Sequence, residues 1–400
     1  MANALSTVTR KCSQATSAQV RPSVTTPRTC FLPNDLDGPG FYRLLFPMRE
    51  LRKHGWDAVV PSQKFTPTRK EDYWTYKKGE APLPLGEQYF SYETMFNLDG
   101  IEADLWVVQR HHCARLLGSR GKVLIGEQDD NSMHIPKWHR SYAKKHVANE
   151  AMHEGFRHCD ALTVSTPQIA EDYAHLNDNI YVLRNYLDWE MWEDVEQQSE
   201  VERGRIRVGW MGAYDFRVGD LHVLRGVVGP WLGSHPNVDF VVAGPNAELT
   251  HELLGVPVGQ RVTVQGVDFS SGRLPEITAS MDIGLVPLDP GRFNEGKSHL
   301  KGMEYAACGI PCIATPTESY RYWIEEGVNG LFASKPAHWR NALETLVGDD
   351  AYRRECGRRA RRKAAEHTIQ EHWQEWADVY MAVGAGHFAN DEERGVRATC

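Results

Sequence analysis

The chain has 400 residues, of which 41% are hydrophobic, 24% charged and 10% aromatic, with a net charge of −8. That length points to two or more domains, and the negative balance offers no global field for nucleic acid or an anionic membrane. Eight scattered cysteines without a Cys-x-x-Cys pair argue against a disulfide framework or a zinc ribbon. No apolar run approaches the roughly 20 residues that span a bilayer.

Residues 1–27 are rich in Ser, Thr and Ala and lack the apolar core of a signal peptide, so a disordered arm on a cytoplasmic protein is expected. From there, short apolar runs alternate with amphipathic stretches, the pattern of α/β layers. "TCFLPN" reads as a strand, "GFYRLLFPMRELRKHG" as a helix ending at Gly55, and "WDAVVPS" as a strand. Residues 64–100 are polar, Pro-rich and aromatic-rich without a period, which suggests an insertion or long loop. "ADLWVVQR" and "KVLIGE" are continuous apolar runs of the buried parallel kind. A helix near 141–158 leads to the strands "ALTVST" and "IYVLRN".

The acidic run "EDVEQQSEVERGR" reads as a connection. A second α/β series follows: "IRVGWMG", a helix near 218–232, "VDFVVAG", "RVTVQG", "DIGLVPL", a helix after Lys297, and "IPCIAT". Helices near 337–347, 350–366 and 368–383 close the chain. Two α/β halves of this kind place ligands at the carboxyl ends of their strands, at a topological switch point.

The segment "NEGKSHLKGMEYAACGIP" poses a question, because Lys297 and Lys301 stand where a helix begins. Cations belong at the other end, and each misplaced one costs about 0.3–1 kcal/mol when exposed. An anion bound at the free N–H groups of that terminus reverses the balance. With Ser298 as N-cap, Lys297 flanks the anion site, and Glu304 shares its helix face to accept hydrogen bonds from a diol. Gly309 and Pro311 end the helix.

These residues resemble the donor-binding segment of retaining GT-B glycosyltransferases, glycosyltransferase family four (glycosyl transferases group 1), in the subset with Lys-Ser-x-x-Lys-x-x-Glu-Tyr. "VGWMGAYDFRVGDL", "VVAGP", "VTVQGVDFSSGRLPEITASMDIGLVPLD" and "GVNGLFA" resemble the nucleotide-binding half, and "GPGFYR", "VVQR", "EQDDN", "LTVST" and "VLRNYLDWEMW" the acceptor half. Where many members carry a second glutamate eight positions before Glu304, this chain has Gly296 beside Glu295. The tryptophan-rich composition also fits an actinobacterial or bacteriophage protein.

The resemblance implies an α/β GT-B fold of two Rossmann-like domains facing across a cleft. It divides the chain into an acceptor domain over 28–190 and a nucleotide-sugar domain over 191–366. A helix over 367–384 would cross back onto the first domain, and 385–400 would form a flexible tail. It implies a metal-independent hexosyltransferase without a cofactor, taking a UDP- or GDP-sugar and an acceptor hydroxyl on a glycan, protein or lipid. Gly212 and Ala213 would admit the diphosphate, Arg217 and Lys297 neutralise it, and Asn294, Ser298, His299 and Leu300 complete the donor site with Glu304 on the ribose. Gly38, Gly40, Arg43 and Arg110 would face the acceptor. One of Glu127, Asp129 and Asp130 would position or deprotonate its hydroxyl, and so many carboxylates together raise a pKa. A structural role as an acidic helix-capping loop competes with that reading.

Other readings of the same residues point elsewhere. Asp129–Asn131 has the look of a metal loop, but the basic donor site argues against it. His139, His146 and His153 recur every seven residues, two turns apart, which is too far to chelate one ion. The basic run Arg353–Lys363 reads as a solvated helix with at most peripheral membrane contact; a monomer or dimer without nucleic acid is expected. A nicotinamide dehydrogenase would need Gly-x-Gly-x-x-Gly, and "GWMGAY" lacks it. A non-catalytic nucleotide- or glycan-binding protein is the remaining competitor.

Overall fold

The computed structural model describes residues 26–35, 38–61, 98, 100–110, 122–195, 204–264 and 272–398. Nearly all of the expected N-terminal arm and of the 64–100 insertion lies outside the described residues, as does most of the acidic connection. The rest forms two six-stranded, all-parallel sheets.

In the N-terminal half, β1 (Thr29–Leu32), β2 (Ala58–Val59), β3 (Leu105–Gln109), β4 (Val123–Gln128), β5 (Ala161–Val164) and β6 (Ile180–Val182) lie in the order β2-β1-β3-β4-β5-β6. Every residue of β1, β3, β4 and β5 is buried, as a parallel sheet covered on both faces requires. The helix α1 follows β1 as one continuous rod in three registers: Gly38–Gly40, a π-helical turn Phe41–Leu45, and Phe46–Lys53. π-turns often occur at functional positions, and this one carries Tyr42 and Arg43. The helices α2 (Lys145–Arg157) and α3 (Pro167–Tyr173) complete this half, α3 capped by Thr166. His139 precedes α2 in an irregular segment, so the three histidines share no helical face.

The second half contains β7 (Ile206–Met211), β8 (Val238–Ala243), β9 (Arg261–Val264), β10 (Ile283–Val286), β11 (Cys312–Ala314) and β12 (Gly330–Phe332), ordered β12-β11-β10-β7-β8-β9. Where one helix was expected near 218–232 there are two, α4 (Tyr214–His222) and α5 (Val228–Gly233); Gly226 at φ +73° breaks the path between them. The short helices α6 (Ala247–Leu254) and α7 (Leu274–Ala279) follow β8 and precede β10. Then come α8 (Arg292–Glu295), α9 (Leu300–Ala307), α10 (Glu318–Trp323), α11 (Pro336–Gly348), α12 (Asp350–Ala365) and α13 (Ile369–Ala398). The last helix runs on to Ala398 through helix formers such as Ala385, Ala389, Glu392 and Glu393, past the expected end at 384.

One core cluster runs through both halves: Phe31 and Tyr42 from the first, Met211 and Tyr305 from the second, with Trp376 and Tyr380 of α13 among them. Edge-to-face contacts join Tyr380 to Phe31 at 5.8 Å and to Trp56 at 6.4 Å, while His54 stacks on Trp373 at 3.8 Å. Gly284 in β10 lets the Tyr305 ring lie on the sheet, for a Cβ there would sit 2.4 Å from it. That contact sets α9 against the strand ends.

Candidate active site

A cavity of about 320 Å³ opens between the halves. Its floor is the switch point of each sheet. Strand order reverses between β1 and β3 in the first and between β7 and β10 in the second, and the lining comes from the segments after these strands. Gly38 and Tyr42 follow β1, Arg110 follows β3, Gly212, Ala213 and Arg217 follow β7, and Lys297, Ser298, Leu300, Lys301 and Glu304 follow β10.

The cations and carboxylates of the wall are interleaved. The Lys297 ammonium pairs with Asp130 and lies 4.4 Å from the centre of the Phe293 ring. Asp130 also faces Arg110 at 3.3 Å, and Arg110 binds Asp129 at 2.5 Å. Burial works against ionising Asp130, yet Lys297 and Arg110 outweigh it and hold its carboxyl well below the usual range. Asp129 goes the other way, raised by burial against the pull of Arg110, with the Asp130 charge adding to it. Lys297 is pushed down to about 8, first by burial and then by Arg217. Arg110 holds φ +49°, a backbone state uncommon outside glycine, and its N–H donates to the Glu127 carbonyl at 2.8 Å.

Glu304 is fully buried. It accepts from the Tyr42 hydroxyl at 3.1 Å across the cleft and from Lys301 at 2.6 Å on its own helix. Asn185 donates to Ser298 Oγ at 2.9 Å, also across the cleft. The expected N-cap is thereby corrected: His299 occupies that position, no side chain caps α9, and Ser298 turns to Asn185 instead. The N–H groups of Leu300, Lys301 and Gly302 start the helix beside the cavity.

Several expected site residues stand behind the wall. Glu127 does not line the cavity. It is fully buried in a bidentate pair with Arg43 at 2.7 and 3.0 Å and accepts from Thr163 at 2.5 Å. Arg43 touches the cavity, but its guanidinium is spent on Glu127, the Leu183 carbonyl and Asn185. Gly40 is buried with its N–H on Asp35. Asn294 donates to Asp220 at 2.6 Å and to the Asp289 carbonyl at 2.9 Å. His299 stacks on Trp323 at 5.4 Å, and burial, with Arg184 next, pushes its pKa to about 3. Sequence periodicity cannot tell a charged group beside the cleft from one that supports it one layer back.

Residues 205–349 match the family model described as glycosyl transferases group 1. The chain is 27% identical over 319 residues to a D-inositol 3-phosphate glycosyltransferase of Corynebacterium jeikeium, covering 73% of this chain and 71% of that protein. Its fold matches sucrose-phosphate synthase of Thermosynechococcus elongatus with a TM-score of 0.61 at 13% identity, over 90% of this chain and 99% of that one. It also matches Anabaena Alr3699/HepE in complex with UDP, at 0.55 and 11% identity, over 89% and 100% of the two chains. The fold is GT-B, and the chain is an enzyme of the hexosyltransferase type.

In this glycosyltransferase Tyr42, Asn185, Phe216 and Asp220 are among the lining residues that sequence reasoning passed over. Asp220 had a signal, three residues after Arg217 on one helix face, and it takes Arg217 at 3.3 Å. Tyr42 and Asn185 had none, since their partners lie 262 and 113 residues away in the chain.

Proposed function

We propose that the chain moves a sugar from a UDP- or GDP-sugar to an acceptor hydroxyl with retention of anomeric configuration. The observation that carries this is the meeting, on one cavity between two Rossmann-like sheets, of Lys297, Arg217, the Gly212–Ala213 turn and the start of α9. A departing nucleoside diphosphate gathers negative charge, and fixed cations and N–H dipoles there stabilise the transition state. Lys297 and Arg217 serve the phosphates in this reading. Glu304 takes the ribose hydroxyls by exchanging the Tyr42 bond for them. Asp129 faces the acceptor hydroxyl, its raised pKa suiting a group that trades a proton. Glu127 and Arg43 support the wall from behind.

The acceptor-binding domain is taken as residues 28–190 and the donor-binding domain as 191–366. UDP is favoured as the donor base because the Alr3699/HepE relative was solved with UDP and with UDP-glucose. The acceptor is a hydroxyl-bearing glycan, protein or lipid.

The experiment is a hydrolysis screen of the purified protein against UDP-, GDP- and dTDP-sugars. Slow release of free sugar and nucleoside diphosphate from one donor class supports the reading. Tight binding without turnover of any donor, even with acceptors supplied, overturns it in favour of a binding protein.

A further inference from the structure

The cation of the diphosphate wall is not held by its own half of the molecule. Lys297 follows β10, while Asp130 follows β4 in the opposite sheet, and the two side chains meet directly across the cleft. Asp130 is itself held from behind. One carboxylate oxygen takes the ammonium and the other faces Arg110 at 3.3 Å. Arg110 is anchored in turn by Asp129. The ammonium has three donors. Asp130 uses one and the Phe293 ring covers one side, which leaves a donor for the cavity.

We propose that Asp130 is a positioning residue: from the N-terminal half it fixes the Lys297 ammonium on the cavity wall, so the cationic site is complete only while the two halves are closed. This rests on Lys297 serving the diphosphate. Asp130 also opposes the groups that tend to discharge Lys297. Facing that lysine are Arg217 and Asp220 from α4, His139 from the segment before α2, and Asp129 and Asp130 from the segment after β4, with Arg110 behind Asp130. Asp130 is the carboxylate among them in direct contact. Without its charge, burial and Arg217 act with less opposition, and the lysine sheds its proton at lower pH.

The test follows the Lys297 side chain in full-length protein carrying 13Cε-lysine, with the signal assigned by its loss in K297R. UDP binding is measured alongside by calorimetry. In D130N the Lys297 titration should move down by at least about one pH unit. UDP affinity should fall about tenfold near pH ~8.5 and stay within about threefold near pH ~6.5. D130E should restore both, and near-ultraviolet circular dichroism checks that each variant keeps its packing. An unmoved titration overturns the proposal. So does UDP binding weakened equally at both pH values, the mark of a merely structural residue. Tighter binding at both also overturns it, because Asp130 would then only be occupying the phosphate's place. If the titration moves as expected while wild-type protein ignores UDP, the positioning role stands and the diphosphate assignment falls.

Discussion

Tyr42 and Glu304 are 262 residues apart in sequence and share a buried hydrogen bond of 3.1 Å that closes the cleft from α1 to α9. The phenol donates to a carboxylate whose second oxygen is already held by Lys301 at 2.6 Å. Y42F would leave Glu304 Oε1 short of a donor in the resting protein, at a cost of about 1–3 kcal/mol. A urea melt should show that loss. The donor KM of Y42F should stay near or below that of wild type, since ribose hydroxyls no longer compete with the phenol. A steep rise in donor KM would show that the Tyr42–Glu304 bond persists with donor bound.

Glu304→Ala tests the other side of that contact. Loss of the ribose acceptor should raise donor KM by about 10–100-fold, the worth of hydrogen bonds to a charged group. Steady-state kinetics with the donor identified by the hydrolysis screen reads it directly. An unchanged KM would remove the ribose from Glu304.

Lys297→Ala should lower kcat by about 10²–10³, the scale seen when one fixed group that stabilises transition-state charge is removed. The fold should survive, because Asp130 keeps its contact with Arg110. Wild-type turnover in this variant would sink the assignment of the phosphate site.

The pH dependence has two signs that can be separated. The Lys297 pKa falls from 10.5 to about 8 on folding, so its charge is present below about 8 and lost above. Donor kcat/KM should therefore decline on the alkaline side from about pH 8, and K297R should push that decline upward. For stability the sign reverses. Between about 8 and 10.5 the unfolded chain binds the extra proton, so this group makes the fold gain stability as pH rises.

Glu127→Gln strands the Arg43 guanidinium in a fully buried position. Breaking such a pair costs about 3–5 kcal/mol, a drop that chemical denaturation resolves. Turnover of the protein that remains folded should fall less than about tenfold, because Glu127 stands behind the cavity and touches no reacting atom. A loss as large as that of Lys297→Ala would return Glu127 to the chemistry.

The strands were legible because a covered parallel strand demands a largely apolar run, as in "LWVV" of β3 and "FVVA" of β8. The lysines at the start of α9 were legible for the opposite reason, as charges at the wrong end of a helix. The partners of those charges were not. Asp130 meets Lys297, Tyr42 meets Glu304 and Asn185 meets Ser298 only because two sheets close on each other, and no local period records that closure. Ser298 shows the same limit on a smaller scale. Its type suits an N-cap, but the tertiary bond from Asn185 takes it.

The place of α13 has a consequence for how the molecule is made. Trp376 and Tyr380 pack into the same cluster as Phe31, so the N-terminal sheet is roofed by residues translated about 350 positions after its first strand. While the second half is still on the ribosome, the first has its strands but lacks its lid, and Phe31 and Trp56 are without their Tyr380 contact. Birth order and folding order therefore diverge: the core of the N-terminal half is completed only once α13 has been made.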